Sequence, residues 1–420
     1  MASPALSAQG FYKDIFMDSG ILLTSRVDLP ASRYLDLSME EFVSANHRDT
    51  TTALTARDTL LQTMMIAGSP IDENGILLYP DGAPRFRVYY MNGGRAGSHG
   101  KSLGAEARDN IRRYIAAGGS YVGTCAGAFC ASAGARSGAN GDSTVFYPGY
   151  LGIFPGYTRG TALSDSQTDM TLPKKSPLLK YYSFGGDGQI DSVRHNGGCF
   201  LYTLENCPPE TEILARYETG DRELKRKIDG ECSIWAYKAS DESGRVVCCG
   251  SHPEGVNEGE RLELMCAMLR YAMDGNGEVR IKGSLADGEE RLMTKTTSEA
   301  DPDHTAIGDR QYHHFTVEVP KGAESVTVTL APKKGWEDFD LYLFADSEGL
   351  AFSSNAERKD ITPGASKQLV IPAPPKGGTV YVSVYCATTV DTIQTRYGTQ
   401  YYGRTDVLNG VPYIIKAEIK

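Results

Sequence analysis

The sequence predicts an α/β domain with a mostly parallel sheet and helices on both faces, followed by a small all-β sandwich. Three observations carry that prediction. Up to residue 275, strand-like apolar runs alternate with helical segments, the order of a parallel sheet covered on both faces. One such strand runs directly into Gly123-Thr124-Cys125-Ala126-Gly127-Ala128 and then into a helix start. Beyond residue 310 the apolar period drops to two, with Pro/Gly turns between the runs.

Taken in order, residues 11–24 read as a strand and turn, and Ser38 with Glu41 fits the S-x-x-E pattern of a helix cap. Residues 50–67 favour a helix carrying Leu54, Leu60, Leu61, Met64 and Met65. Arg85–Tyr90 is a strand leading into Met91-Asn92-Gly93-Gly94, whose two glycines permit close approach of backbone to a ligand. Glu106–Ala117 is an amphipathic helix with Ala107, Ile111, Tyr114 and Ile115 on one side, closed by Gly118-Gly119. Ser120-Tyr121-Val122 then delivers the Gly123–Ala128 turn, with a helix start at Phe129-Cys130-Ala131-Ser132. After a turn-rich segment, strands are expected over 192–200, 211–217, 230–238 and 245–250, and a helix over 258–274.

In a flavodoxin-like sheet of this kind, sites lie at the carboxyl ends of the strands. Asp274-Gly275-Asn276-Gly277 stops the last helix, which sets an α/β domain at 10–275, a linker at 276–309 and the sandwich at 310–420. The sandwich strands are expected over 312–319, 325–330, 338–344 and 379–385. Asp338 and Asp340 share a strand face, where calcium binding and edge-strand solubility are both open readings.

With 420 residues, 40% hydrophobic and 23% charged, the chain can bury more than one core. A net charge of −10 without a long basic run argues against a nucleic-acid or anionic-membrane partner. No apolar run reaches the roughly 18 residues of a membrane span. The nine cysteines are odd in number, irregularly spaced and free of C-x-x-C pairs, so neither a disulfide scaffold nor a metal site is expected, and no cofactor. The adjacent Cys248 and Cys249 read as core residues on a strand.

Small residues on both sides of Cys125 are what a sharp strand-to-helix turn demands, and such a turn exposes its central side chain as a nucleophile. The Ala126 N–H would then face a developing oxyanion. A free thiol is only a few per cent ionised at neutral pH, so a base must activate it. His252 meets that need on the loop after Val246–Gly250, and Glu254, two residues on, can fix its tautomer and orientation. His99, His195 and Asn196 lie on glycine-rich loops and Arg95 follows the double glycine, which makes all four candidate substrate contacts. For the histidines and the arginine, structural satisfaction and solvation are the plainer alternatives.

Gly123–Ala128 together with Ser251–Glu254 resembles the class I glutamine amidotransferase-like superfamily, where an elbow nucleophile is paired with a late H-P-E. Residues 119–129 and His195-Asn196-Gly197-Gly198 are similar to the subgroup of the biotin-protein-ligase N-terminal domain. The resemblance covers roughly residues 10–275 and implies Cys125 as nucleophile, His252 as base and Glu254 as orienting acid. It also implies that Gly93 and Gly94 supply an oxyanion donor beside Ala126. The family's P-G-G loop reads Asn92-Gly93-Gly94 here, and the ATP-binding motif of a biotin ligase catalytic domain is missing. Residues 310–420 resemble the bacterial pre-peptidase C-terminal domain through Phe339–Leu343 and Pro412–Ile419, which implies a secreted or periplasmic hydrolase.

The expectation is a cysteine hydrolase of peptide or γ-glutamyl amides, with a protein partner reached through the sandwich. A glutamine amidotransferase subunit that passes ammonia to a partner, and an inactive binding protein, stand as alternatives.

Overall fold

The computed structural model describes residues 62–63, 65–138, 140–219, 228–256, 258–299, 301–395 and 398–420. The strand expected at 11–24, the Ser38/Glu41 cap and most of the helix expected at 50–67 lie outside them. Gln62–Thr63, near the end of that helix, is strand. Two compact units emerge, whose described parts are Phe86–Glu278 and, separately, the residues up to Arg85 together with Val279–Lys420.

The first unit is built on one eleven-stranded sheet. Its strands are β1 (Val88–Met91), β2 (Ser120–Thr124), β3 (Ser132–Ser137), β4 (Ser143–Val145), β5 (Phe154–Gly160), β6 (Ser166–Thr171), β7 (Gln189–His195), β8 (Cys199–Tyr202), β9 (Glu212–Glu218), β10 (Cys232–Lys238) and β11 (Arg245–Cys249). They follow the order β1-β2-β11-β10-β8-β5-β3-β4, and β9, β6 and β7 branch from β10. Parallel pairing is confined to β1 with β2, β2 with β11 and β3 with β5; the other pairings are antiparallel.

This corrects the expected flavodoxin-like layering. Of the described residues 39% are strand and 17% helix, with three α-helices among them, so a curled mixed sheet replaces a parallel one clad in helices. The physical reason lies in residues 133–191, where short segments that read as turns form strands, and in the strand expected over 192–200, which is divided between β7 and β8. Short Ser/Thr/Gly-rich segments there alternate faces, as in β6, where Thr168 and Met170 are buried between more exposed neighbours. Antiparallel neighbours need no crossover helix, so these strands widen the sheet directly.

The helices are α1 (Ala96–Ala116), α2 (Ala126–Ala131) and α3 (Gly259–Met273). Helix α1 starts ten residues before the expected position and is broken at Gly104, where φ is +74°. Its buried Ala107, Ile111, Tyr114 and Ile115 are the predicted apolar side. Helix α3 packs against β2, β7 and β11. The parallel trio β1, β2 and β11 positions the site. Strand β2 is buried throughout, as a strand covered on both faces must be, and Gly123 pairs with both Met91 and Cys248. The loops leaving all three strands therefore open at one edge.

The second unit contains a five-stranded sheet (Ile281–Ser284, Tyr312–Val319, Gly378–Cys386, Leu341–Asp346, Arg358–Asp360) and a four-stranded one (Glu290–Met293, Tyr413–Ile419, Ser325–Pro332, Lys367–Pro372). Phe315, Val317, Val328, Leu343, Val382 and Ile415 share one core. The stretch expected as a linker at 276–309 supplies the strands Ile281–Ser284 and Glu290–Met293. Residues 66–85, expected in the α/β domain, fall in this unit. There Arg85 is buried between Asp72 and Asp309, at 3.4 and 3.1 Å, and Lys282 pairs with Asp81. Buried charges persist only when paired, and Asp309 and Lys282 lie more than two hundred positions from their partners Arg85 and Asp81. Asp340 spends Oδ1 on the Gly364 N–H at 2.6 Å, and no metal-binding cluster occurs among the described residues.

Candidate active site

Cys125 sits between β2 and α2 with φ +49° and ψ −103°, a strained conformation for a residue with a side chain. Neighbouring bonds hold the strain in place. Its N–H donates to the Cys249 carbonyl at 2.8 Å, its own carbonyl accepts from Phe129 N–H at 3.1 Å, and the buried Tyr121 hydroxyl donates to the Gly127 carbonyl at 2.8 Å. Gly127 is required because a Cβ there would overlap the Met91 carbonyl oxygen. At Gly123 a Cβ would fall 2.7 Å from the Gly127 carbonyl carbon. Cys130 ties α2 to α1 through the Ala96 carbonyl at 3.4 Å. Ala126 opens α2, so its N–H belongs to the first turn, whose donors lack intrahelical acceptors.

The second arm leaves β11 through Gly250-Ser251. The His252 N–H donates to the Arg194 carbonyl at 2.8 Å, pinning the loop to the end of β7. His252 Nδ1 lies 2.9 Å from Glu254 Oε1, with the two side chains 13% and 9% exposed. Glu254 Oε1 also accepts from Thr124 Oγ1 at 2.9 Å, and Tyr90 Oη lies 3.0 Å from Thr124 Oγ1. Burial opposes a charge on His252. The Glu254 carboxylate, with hydrogen bonding to Cys125 and Glu254, outweighs it and raises the imidazole from its usual 6.5 to about 10. That interaction brings the elbow and the H-P-E loop together as one constellation.

The remaining expected residues divide. Gly93 backs directly onto the imidazole, where a Cβ would overlap His252 Cε1 and lie 2.7 Å from Nδ1. Gly94 has φ +146°, in the region that favours glycine. Arg95 is exposed at the head of α1, its carbonyl accepting the Ser98 and His99 N–H groups. The Asn196 carbonyl faces Cys125 Sγ at 3.8 Å, and its side chain accepts from the Asp165 N–H at 3.1 Å.

His99 and His195 are not at a pocket border, because both are interior. Burial lowers each to about 4, for His195 with the help of the His252 charge. His195 spends Nε2 on Thr161 Oγ1 at 2.6 Å and Nδ1 on Ser251 Oγ at 2.7 Å, which braces the residue before His252.

A stability prediction follows from His195. An imidazole held neutral when folded and free at about 6.5 when unfolded contributes fully above 6.5 and loses that contribution as pH falls toward 4. The loss is roughly 3 kcal/mol. Urea unfolding measured from pH 7 to 4 should show His195→Gln with a flatter decline than wild type; parallel curves would contradict the assignment.

Sequence reasoning missed Thr124, Tyr90 and the Thr161–His195–Ser251 brace. Thr124 stands inside the quoted elbow, so its position was visible and its partner was not.

The geometry defines a cysteine-bearing strand-helix elbow paired with a His/Glu loop on the neighbouring parallel strand. Residues 63–271 match the sequence model of the family described as biotin-protein ligase, N terminal. No curated protein matches the chain. Among solved structures, the chain is similar at a TM-score of 0.20 to the pre-peptidase C-terminal domain of a Bacillus anthracis collagenase, with 12% identity over 34% of this chain and 100% of that one. PliG, a periplasmic inhibitor of g-type lysozyme from Aeromonas hydrophila, aligns with 16% identity over 27% of this chain and 81% of its own, at a TM-score of 0.18. A catalytic mutant of Gan42B, a β-galactosidase from G. stearothermophilus, aligns with 10% identity over 67% and 30%, at a TM-score of 0.23.

Proposed function

We propose that the first unit is a cysteine-nucleophile amidohydrolase of the class I glutamine amidotransferase-like type, acting on small peptide or γ-glutamyl amides. The observation that carries this reading is the 2.9 Å His252–Glu254 bond, in an imidazole whose basicity the Cys125 side chain also raises. In the first step Cys125 Sγ, its proton already held by His252 as the imidazolium, bonds to the amide carbon. The oxyanion rests on the Ala126 N–H and the Gly93-Gly94 loop, each such donor being worth about 3–4 kcal/mol. Collapse breaks the C–N bond, and the amine departs with the proton held by His252. Water then adds to the thioester with His252 as base, releasing the carboxylic acid and restoring the thiol.

Glu254→Gln should retain about two orders of magnitude more activity than His252→Ala, because it disturbs orientation without deleting the base. Amine or ammonia release from peptide and γ-glutamyl amides, in wild type and both variants, tests the proposal. Undiminished turnover in His252→Ala would end it. An inactive binding protein is the second reading, favoured by the 3% exposure of Cys125 beneath the Asn196 carbonyl.

A further inference from the structure

Two hydroxyls outside the proposed triad form a chain that ends on its carboxylate. An ionised carboxylate only accepts hydrogen bonds, so the Thr124 hydroxyl donates its single proton to Glu254 Oε1, at 2.9 Å. With that proton spent, the 3.0 Å contact between Tyr90 and Thr124 can only run from the Tyr90 hydroxyl to Thr124 Oγ1. Thr124 and Tyr90 are both fully buried. Burial, followed by the Glu254 charge, pushes the Tyr90 phenol well above its usual value, so it keeps the proton that the chain requires.

We infer that Thr124, backed by Tyr90, is a positioning residue that holds Glu254 Oε1 against His252 Nδ1, so that a hydroxyl relay from β1 and β2 sets the orientation and basicity of the catalytic imidazole. The inference rests on the triad reading above. It also gives the middle of the elbow its chemistry. Oε1 receives two donors at once, one from His252 and one from Thr124, each at 2.9 Å. The Thr124 donor comes from a strand and not from the mobile end of a long side chain. Along the chain from Tyr90 through Thr124 to Glu254 each hydrogen bond polarises the next in a low-dielectric interior, which strengthens the Thr124 bond that fixes Oε1. Removing the threonine hydroxyl takes one orienting bond from Glu254 Oε1 and deprives the buried Tyr90 hydroxyl of its Thr124 acceptor, a cost that the isosteric valine cannot relieve.

The test is the pH profile of Cys125 alkylation by iodoacetamide, followed by intact mass and peptide mapping in the full chain. Thr124→Val should slow labelling at neutral pH about tenfold, the worth of one charge-assisted hydrogen bond, and move the half-maximal pH upward by about one unit. Thr124→Ser keeps the hydroxyl and should restore the wild-type profile. Tyr90→Phe should shift it in the same direction by less. If Thr124→Val unfolds, Tyr90→Phe and Thr124→Ser decide the matter, since one deletes a donor and the other preserves it. A wild-type profile in Thr124→Val or Tyr90→Phe, or a Thr124→Ser profile displaced like that of valine, overturns the relay. Loss of His252 dependence in the wild-type background would instead overturn the triad reading itself.

Discussion

Cys125→Ala is expected to lose amide turnover by about 10⁶-fold, the scale seen when a nucleophile is removed from an otherwise intact triad, while the fold survives. Beyond its interaction with His252, Sγ makes a long contact to the Asn196 carbonyl at 3.8 Å, and the elbow is held by backbone bonds through Cys249 and Phe129 that alanine keeps. The positive φ costs alanine about what it costs cysteine. Thermal unfolding within a few degrees of wild type, alongside the loss of product release, is the expected pair of results. Retained turnover would remove Cys125 from the chemistry.

Gly93→Ala is expected to slow catalysis about 100-fold, through geometry alone. The new methyl would occupy the space of His252 Cε1, and the ring has little room to retreat because Nδ1 is held by Glu254 and the backbone N–H by Arg194. Displacing a catalytic base by about 1 Å costs on the order of 100-fold in rate. The expected signature is a fall in kcat with little change in KM, together with slower alkylation of Cys125. An unchanged kcat would show that the imidazole does not work from the position described.

The elbow was legible because its constraint is local. Gly123 and Gly127 flank Cys125 for steric reasons that the six-residue pattern itself encodes. The pairing of the elbow with Ser251–Glu254 was also legible, since both stretches end apolar strands, and those strands prove to be parallel neighbours. The sheet between them was not. Between the elbow and residue 192, polar segments form strands of three to seven residues, too short for patterning to separate from turns, and β5 and β6 pair antiparallel with β8 and β7 further along the chain.

His195 and His99 misled for a related reason. Flanking glycines suggest an open loop, whereas Gly198 is small because it packs against the Gly250 carbonyl, drawing His195 into the interior. The role of residues 66–85 was hidden because Arg85 finds Asp309 more than two hundred positions away. Thr124 and Tyr90 were in plain view as residues, yet nothing local says that a threonine inside an elbow donates to a glutamate 130 positions on.

The most direct measurement is site-resolved alkylation of the nine free cysteines from pH 5 to 9, in wild type and in His252→Ala. Eight of the nine are buried and Cys207 is half-buried, so exposure alone would favour Cys207. An activated nucleophile predicts instead that Cys125 labels first at and below neutral pH and that His252→Ala abolishes this preference. Labelling led by Cys207, or spread over the thiols with no response to His252, would contradict the account.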